Sequence, residues 1–205
     1  MDPSADLAST ATDTGATGKA APALANRPIV LVGLMGAGKT CVGRRLATRL
    51  GLPFVDADQE IEAAAGCTVS EIFERHGEAA FRDGERRVMR RLLSQGPVVL
   101  ASGGGAFVNA ETRMLVRSCA ISIWLKASLE TLVKRVGRRH DRPLLRQGDP
   151  REILSRLMEE RAPAYGESDI TVCSGEDSAD DTVRAVYAAL TAWLAAHPDA
   201  GDRPS

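Results

Sequence analysis

Three histidines, four cysteines and a net charge of −1 are the scarcities of this 205-residue chain, and each removes a class of function. With charge so nearly balanced, there is no general electrostatic case for nucleic acid or a membrane surface as partner. Cys41, Cys67, Cys119 and Cys173 form no C-x-x-C pair. That scatter argues against a zinc site and a disulfide framework, and fits a reducing cytosol, so a cytoplasmic location is expected. His76, His140 and His197 show neither triad nor metal spacing and read as surface residues. No apolar run approaches the roughly 20 residues that span a bilayer, and no internal repeat is visible. Residues 1–26 carry no arginine and, past Met1, only Leu7 and Leu24 as large apolar residues. Lacking an apolar h-region they do not read as a secretory signal, and Asp2, Asp6 and Asp13 argue against a transit peptide. They are expected to be a disordered tail, with a single domain over 27–197 and a frayed end over 198–205.

What is present is a strong phosphate-binding signal. Gly33-Leu34-Met35-Gly36-Ala37-Gly38-Lys39-Thr40 fits G-x-x-x-x-G-K-[ST]. The apolar run Pro28–Val32 precedes it and reads as a buried parallel strand. Val42, Leu46 and Leu50 follow at helical spacing, with Gly51 as the expected stop. Strand, glycine loop and helix aim backbone N–H groups and a helix N-terminus at phosphate oxygens. Lys39 can set a charge beside the β- and γ-phosphates, and Thr40 can offer its hydroxyl to Mg²⁺.

Strands and helices alternate through the rest. Strands are expected at Phe54-Val55, Val98–Ala101, Ala120–Leu125 and Ile170–Cys173. Helices are expected from about Asp58 to Ala65, from the capping box Thr68–Glu71 through Arg75, and from Glu78 to Leu93. Asn109 and Ser128 read as caps of two more. Asp149-Pro150 opens a helix to about Arg161, and an amphipathic helix runs from Ser178 to Ala196. The class is therefore α/β, a five-stranded parallel sheet with helices on both faces. Residues 137–149 are arginine-rich and aperiodic.

Three further groups carry chemistry, each with a plainer alternative. Asp56 and Asp58 follow the second strand, where side chains of a parallel sheet enter a ligand crevice. One could support Mg²⁺ and the other orient or deprotonate a hydroxyl; Asp58 could equally cap a helix starting at Gln59. Gly103, Gly104 and Gly105 permit close backbone approach to a ligand, or form an ordinary loop. Arg82, Arg142 and Arg161 can grip a carboxylate or neutralise a phosphoryl group, or be solvated like their neighbours Arg86, Arg87, Arg90 and Arg91.

Taken together and in order, these residues resemble the shikimate kinase family over about residues 28–190. The matching stretches are residues 33–40, Phe54-Val55-Asp56-Ala57-Asp58, Ile72-Phe73, Gly77-Glu78 with Phe81-Arg82, Gly103–Gly105, Arg142-Pro143-Leu144-Leu145, and Glu160-Arg161 with Tyr165. The resemblance implies a P-loop kinase fold with a mobile lid at about 137–149, and transfer of the ATP γ-phosphate to the 3-hydroxyl of shikimate. It implies that Gly36, Ala37, Gly38, Lys39, Thr40 and Cys41 cradle ATP, with Thr40 on Mg²⁺ and Asp56 behind it through water. It implies that Asp58 binds shikimate hydroxyls and acts as or positions the base, while Arg82 and Arg161 clamp the carboxylate and Gly103, Gly104 and Gly105 line the pocket. Arg135 would stack on adenine, Arg142 would close over ATP from the lid, and the protein would be a monomer. One departure stands out: Ser174–Asp177, expected near adenine, is acidic where relatives often carry Arg, Asn or Pro.

Two other readings remain open from sequence. Another small P-loop kinase, acting on gluconate or a nucleoside monophosphate, shares the loop and lid, but nothing requires it to carry Asp58, Arg82, the glycine triplet and Arg161 together. A non-catalytic sensor of shikimate or nucleotide would be expected to have lost Lys39 or Asp58, and both are present.

Overall fold

A computed structural model describes residues 26–137, 148–175 and 178–198. The strands are β1 (Ile29–Val32), β2 (Phe54–Asp56), β3 (Val99–Ala101), β4 (Ile121–Lys126) and β5 (Ile170–Cys173). They form one parallel sheet in the order β2-β3-β1-β4-β5. β1 lies at its centre, with Val30 opposite Leu100 on one side and Ser122 on the other. All four β1 residues are fully buried, as a strand covered on both faces requires.

The helices are α1 (Lys39–Leu50), α2 (Ala57–Ala65), α3 (Val69–Ser94), α4 (Ala110–Cys119), α5 (Leu129–Val136), α6 (Pro150–Tyr165) and α7 (Ala179–Ala196). α1 packs on α7 and α3 on α4. Most ends are set by local chemistry legible in the chain. Gly51 closes α1 in the left-handed region, Asn109 and Ser128 accept from Thr112 and Thr131 N–H, and capping boxes open α3 and α7.

Two boundaries differ from expectation. α2 starts at Ala57, so its cap is Asp56, whose carboxylate accepts the Asp58 N–H, and Asp58 is not the cap. The two helices expected between Val69 and Leu93 are both present within α3, separated at Gly77, where φ 77° and ψ 173° leave the helical region and bend the chain. α6 does not end at Arg161 but continues to Tyr165 with Pro163 inside it. Proline removes one backbone donor, yet buried Ile153, Leu154, Leu157 and Tyr165 hold the helix to the core. The expected tail at 1–25, residues 138–147 of the expected lid and the end at 199–205 lie outside the described residues.

Leu100 sits on β3 between β1 and β2 with no exposed surface. Leu100→Ala should destabilise the fold by about 2–5 kcal/mol, from lost transfer energy plus an unfilled cavity. Urea unfolding of the two proteins measures the difference.

Candidate active site

Parallel strands present all their carboxyl ends on one edge, and the first three deliver three loops there. β1 leads into residues 33–38, β2 into Asp56 to Asp58, and β3 into Ser102 to Gly105. Because β3 stands between β1 and β2, the glycine triplet lies between the phosphate loop and the aspartates. Two cavities open along this edge. One is lined by Gly36, Gly38, Lys39, Thr40, Cys41, Asp56 and Arg135. The other is lined by Phe73, Phe81, Arg82, Glu85, Gly103, Gly105 and Arg161. Met35, Asp58 and Gly104 border both.

The first cavity has the features of a nucleotide phosphate site. Gly36 and Gly38 have φ of 83° and 94°, a backbone region L side chains rarely adopt. Gly38 is the N-cap of α1, so the helix points its free N–H groups into the loop. The Lys39 ammonium donates to the Gly33 and Leu34 carbonyls at 2.8 and 3.0 Å. The Thr40 hydroxyl donates to Asp56 Oδ2 at 2.7 Å, while Asp56 Oδ1 accepts the Asp58 N–H at 3.1 Å. One carboxylate thus ties α1 to the start of α2. Thr40 and Asp56 offer the hard oxygen donors that suit Mg²⁺. On the far side, Arg135 Nη1 donates to Ser174 Oγ at 3.0 Å and Nη2 to Gly175 O at 2.7 Å. Ser174 in turn donates to Ala37 O at 3.1 Å, so this arginine is fixed beside the loop.

The second cavity gathers two arginines and a glycine backbone beside an apolar wall. Arg82 and Arg161 enter it from α3 and α6. Arg82 donates to Glu85 Oε2 at 2.7 Å and to Glu78 at 3.1 Å. Arg161 Nη1 donates to Gly104 O at 2.9 Å, and the buried Tyr165 hydroxyl donates to the same oxygen. A Cβ on Gly105 would lie 2.5 Å from the Arg82 guanidinium, so any other residue there would push that arginine aside. Val69, Phe73 and Phe81 supply an apolar wall, with the two rings 4.7 Å apart.

Charge in this cavity is balanced under partial burial. Glu85 is only 2% exposed. Burial pushes its carboxyl above the ordinary value, with the Asp58 charge adding to the rise, while Arg82 and Arg161 pull it back down. For Arg82, burial opposes the charged form, and the carboxylates of Glu85 and Glu78 outweigh it, so its pKa is raised. The Tyr165 phenol is raised chiefly by burial, against the nearby arginines.

Of the residues singled out in the sequence, Gly36, Gly38, Lys39, Thr40, Cys41, Asp56, Asp58, Arg82, Gly103, Gly104, Gly105, Arg135 and Arg161 all line one cavity or both. Ala37 contributes through its carbonyl and its buried methyl. Arg142, Glu176 and Asp177 lie outside the described residues. Glu85 and Tyr165 were not singled out as site residues. Spacing held a signal for both: Glu85 is three residues after Arg82 and Tyr165 four after Arg161, so each pair shares a helix face. Ser174, in the stretch expected near adenine, is joined to the loop by the hydrogen bond it donates to Ala37 O and the one it accepts from Arg135.

Comparison with known proteins agrees with this geometry. Residues 35–191 match the family model described as shikimate kinase. A shikimate kinase of Paramagnetospirillum magneticum is 59% identical over 168 residues, covering 82% of this chain and 86% of its own. One from Bradyrhizobium diazoefficiens is 56% identical, covering 84% and 83%. A solved shikimate kinase from Acinetobacter baumannii, in complex with shikimate, superposes with a TM-score of 0.79 at 38% identity, over 81% of this chain and 93% of its own. A paired anion pocket and phosphate loop on one sheet edge, with this degree of identity over most of the chain, make the protein a member of the shikimate kinase family.

Proposed function

We propose that the two cavities hold ATP and shikimate side by side, and that the γ-phosphoryl group passes between them to the 3-hydroxyl, giving shikimate 3-phosphate and ADP. The observation that carries this reading is the shared border: Asp58 lines both cavities. Phosphoryl transfer needs positioning and charge neutralisation more than covalent chemistry, and the residues divide along those lines. The loop N–H groups and Lys39 hold the phosphates. Arg82 and Arg161 clamp the shikimate carboxylate, which fixes the ring so that its hydroxyls reach Asp58. Asp58 accepts the hydroxyl proton or orients the oxygen for in-line attack. Gly103, Gly104 and Gly105 line the pocket with backbone, and Arg135 flanks the adenine end.

Thr40 would hold Mg²⁺, with Asp56 supporting it through water. When bound, the ion neutralises phosphate charge. Arg142 is proposed to close over ATP. No helix among the described residues is long and apolar enough to cross a membrane. The near-neutral charge and dispersed cysteines support a cytoplasmic protein with no nucleic-acid or membrane partner, and the resemblance to the family supports a monomer.

A coupled ADP-release assay across shikimate, gluconate and nucleoside monophosphates tests the reading, with turnover expected on shikimate. Turnover confined to another acceptor would replace it, and shikimate binding without turnover would favour a sensor. Lys39→Ala and Asp58→Asn should each lower kcat on the order of 10²–10³-fold with the fold intact; near-normal turnover would refute the role. Arg161→Lys should raise the KM for shikimate roughly tenfold or more, since an ammonium cannot reproduce a guanidinium fork.

Glu85 adds a pH prediction. Its folded-state pKa lies above the ordinary value of 4.5, so between the two values the native state binds more protons than the unfolded chain. Its contribution to stability is therefore full below about 4.5 and is lost as pH rises through the raised value. The stability of the wild type relative to Glu85→Gln should decline over that window in urea titrations at stepped pH. A difference that is flat or rises would contradict the raised value.

A further inference from the structure

Tyr165 is among the largest fully buried side chains, and its phenol does not line the acid pocket. It reaches the site at the Gly104 carbonyl oxygen, which it shares as acceptor with Arg161, and beside the Arg161 guanidinium itself. That oxygen belongs to the peptide joining Gly104 to Gly105, and in a trans peptide the Gly105 N–H points opposite to it; the described chain has no cis bond. The other triplet carbonyls are also engaged: Gly103 O accepts Ala106 N–H at 3.2 Å and Gly105 O accepts Val108 N–H at 3.1 Å. Among the described residues, no backbone carbonyl accepts the N–H of Gly104 or Gly105. The triplet therefore turns its acceptors into the protein and leaves donors over, the arrangement of a backbone anion site.

We infer that Tyr165 is a positioning residue for the acid: its buried phenol, with Arg161, locks the Gly104–Gly105 peptide so that the free N–H groups and the Arg161 guanidinium present one donor surface to the substrate carboxylate. The inference rests on the reading of this cavity as the acid's site. A glycine peptide with no side chain to anchor it would otherwise rotate freely, and its carbonyl, turned inward, would repel an anion. Two donors on one oxygen prevent that rotation. Burial raises the phenol's pKa, so it remains a donor throughout the working range. The ring packs against Trp124 at 5.8 Å, which keeps the hydroxyl in place and leaves packing intact when the hydroxyl alone is removed.

The test is Tyr165→Phe assayed beside the wild type, with shikimate and with an uncharged analogue bearing hydroxymethyl in place of the carboxylate. The loss of one hydrogen bond should raise the KM for shikimate about two- to tenfold. The KM for ATP and kcat should stay within about twofold, and the KM for the uncharged analogue should not change. An unchanged shikimate KM, an equal penalty on the uncharged analogue, or a parallel change in ATP KM would overturn the inference. Should the variant not fold, the wild-type chain still answers. It has two tyrosines, so 3-fluorotyrosine gives two ¹⁹F resonances, assigned with Tyr187→Phe. The Tyr165 signal should shift on saturation with shikimate and much less with the uncharged analogue; a signal indifferent to shikimate, or equally responsive to both, would sink the proposal. A wild type that does not phosphorylate shikimate would instead remove the reading on which the inference stands.

Discussion

The close approach of two backbones, the phosphate loop and the glycine triplet, is the constraint on which the site depends. A Cβ on Gly104 would sit 3.5 Å from Met35 N and 3.8 Å from both Gly33 O and Arg161 Nη1. Little more than one atom layer therefore separates the nucleotide side from the acid side. That approach follows from the sheet. β3 pairs directly with β1, with Leu31 opposite Ala101, so the loops leaving both strands start side by side. Ser102 then fastens the join by donating its hydroxyl to Leu31 O at 3.0 Å. Antiparallel strands would send these loops to opposite edges, and no choice of side chains would bring the two ligands together.

Within that frame, the acid pocket concentrates charge that the fold alone would not favour. Arg82 has 22% of its side chain exposed and Glu85 3%. Such a pair gives little net stability, because desolvation offsets much of the attraction. Its value lies in geometry. Glu85 grips one terminal nitrogen of Arg82 while Glu78 grips the other and Nε, so the guanidinium is held before an acid arrives. Arg161 is held in the same manner by a backbone carbonyl. Preorganised donors need not give up rotamer freedom when the anion binds, and that saving appears as affinity.

Much of this was legible in the chain because its signals are local. The loop motif, the strand before it and the helix after it are consecutive, and the caps at Thr68, Asn109, Ser128 and Ser178 each declare themselves within three residues. What was not legible depended on packing across the fold. Nothing local shows that Asp56 spends one oxygen on Thr40 and the other on the Asp58 N–H, since the first contact joins residues sixteen apart. α6 runs past the expected end near Arg161 because its buried face holds it to the core beyond Pro163, and that extra turn gives Tyr165 its fixed place beyond Arg161.

The border between the cavities also narrows the chemistry. Met35, Asp58 and Gly104 line both sides, and of these Asp58 alone has an ionisable side chain. Asp56 supplies the helix cap, Asp58 borders the cleft on both sides, and a Cβ on Gly103 would come within 2.9 Å of the Asp58 Oδ1. A hydroxyl held between the arginines and the phosphate loop has Asp58 as the carboxylate within reach of both ligands. Lys39 and the arginines surround that meeting point with positive charge, which favours the developing negative charge of a transferring phosphoryl group.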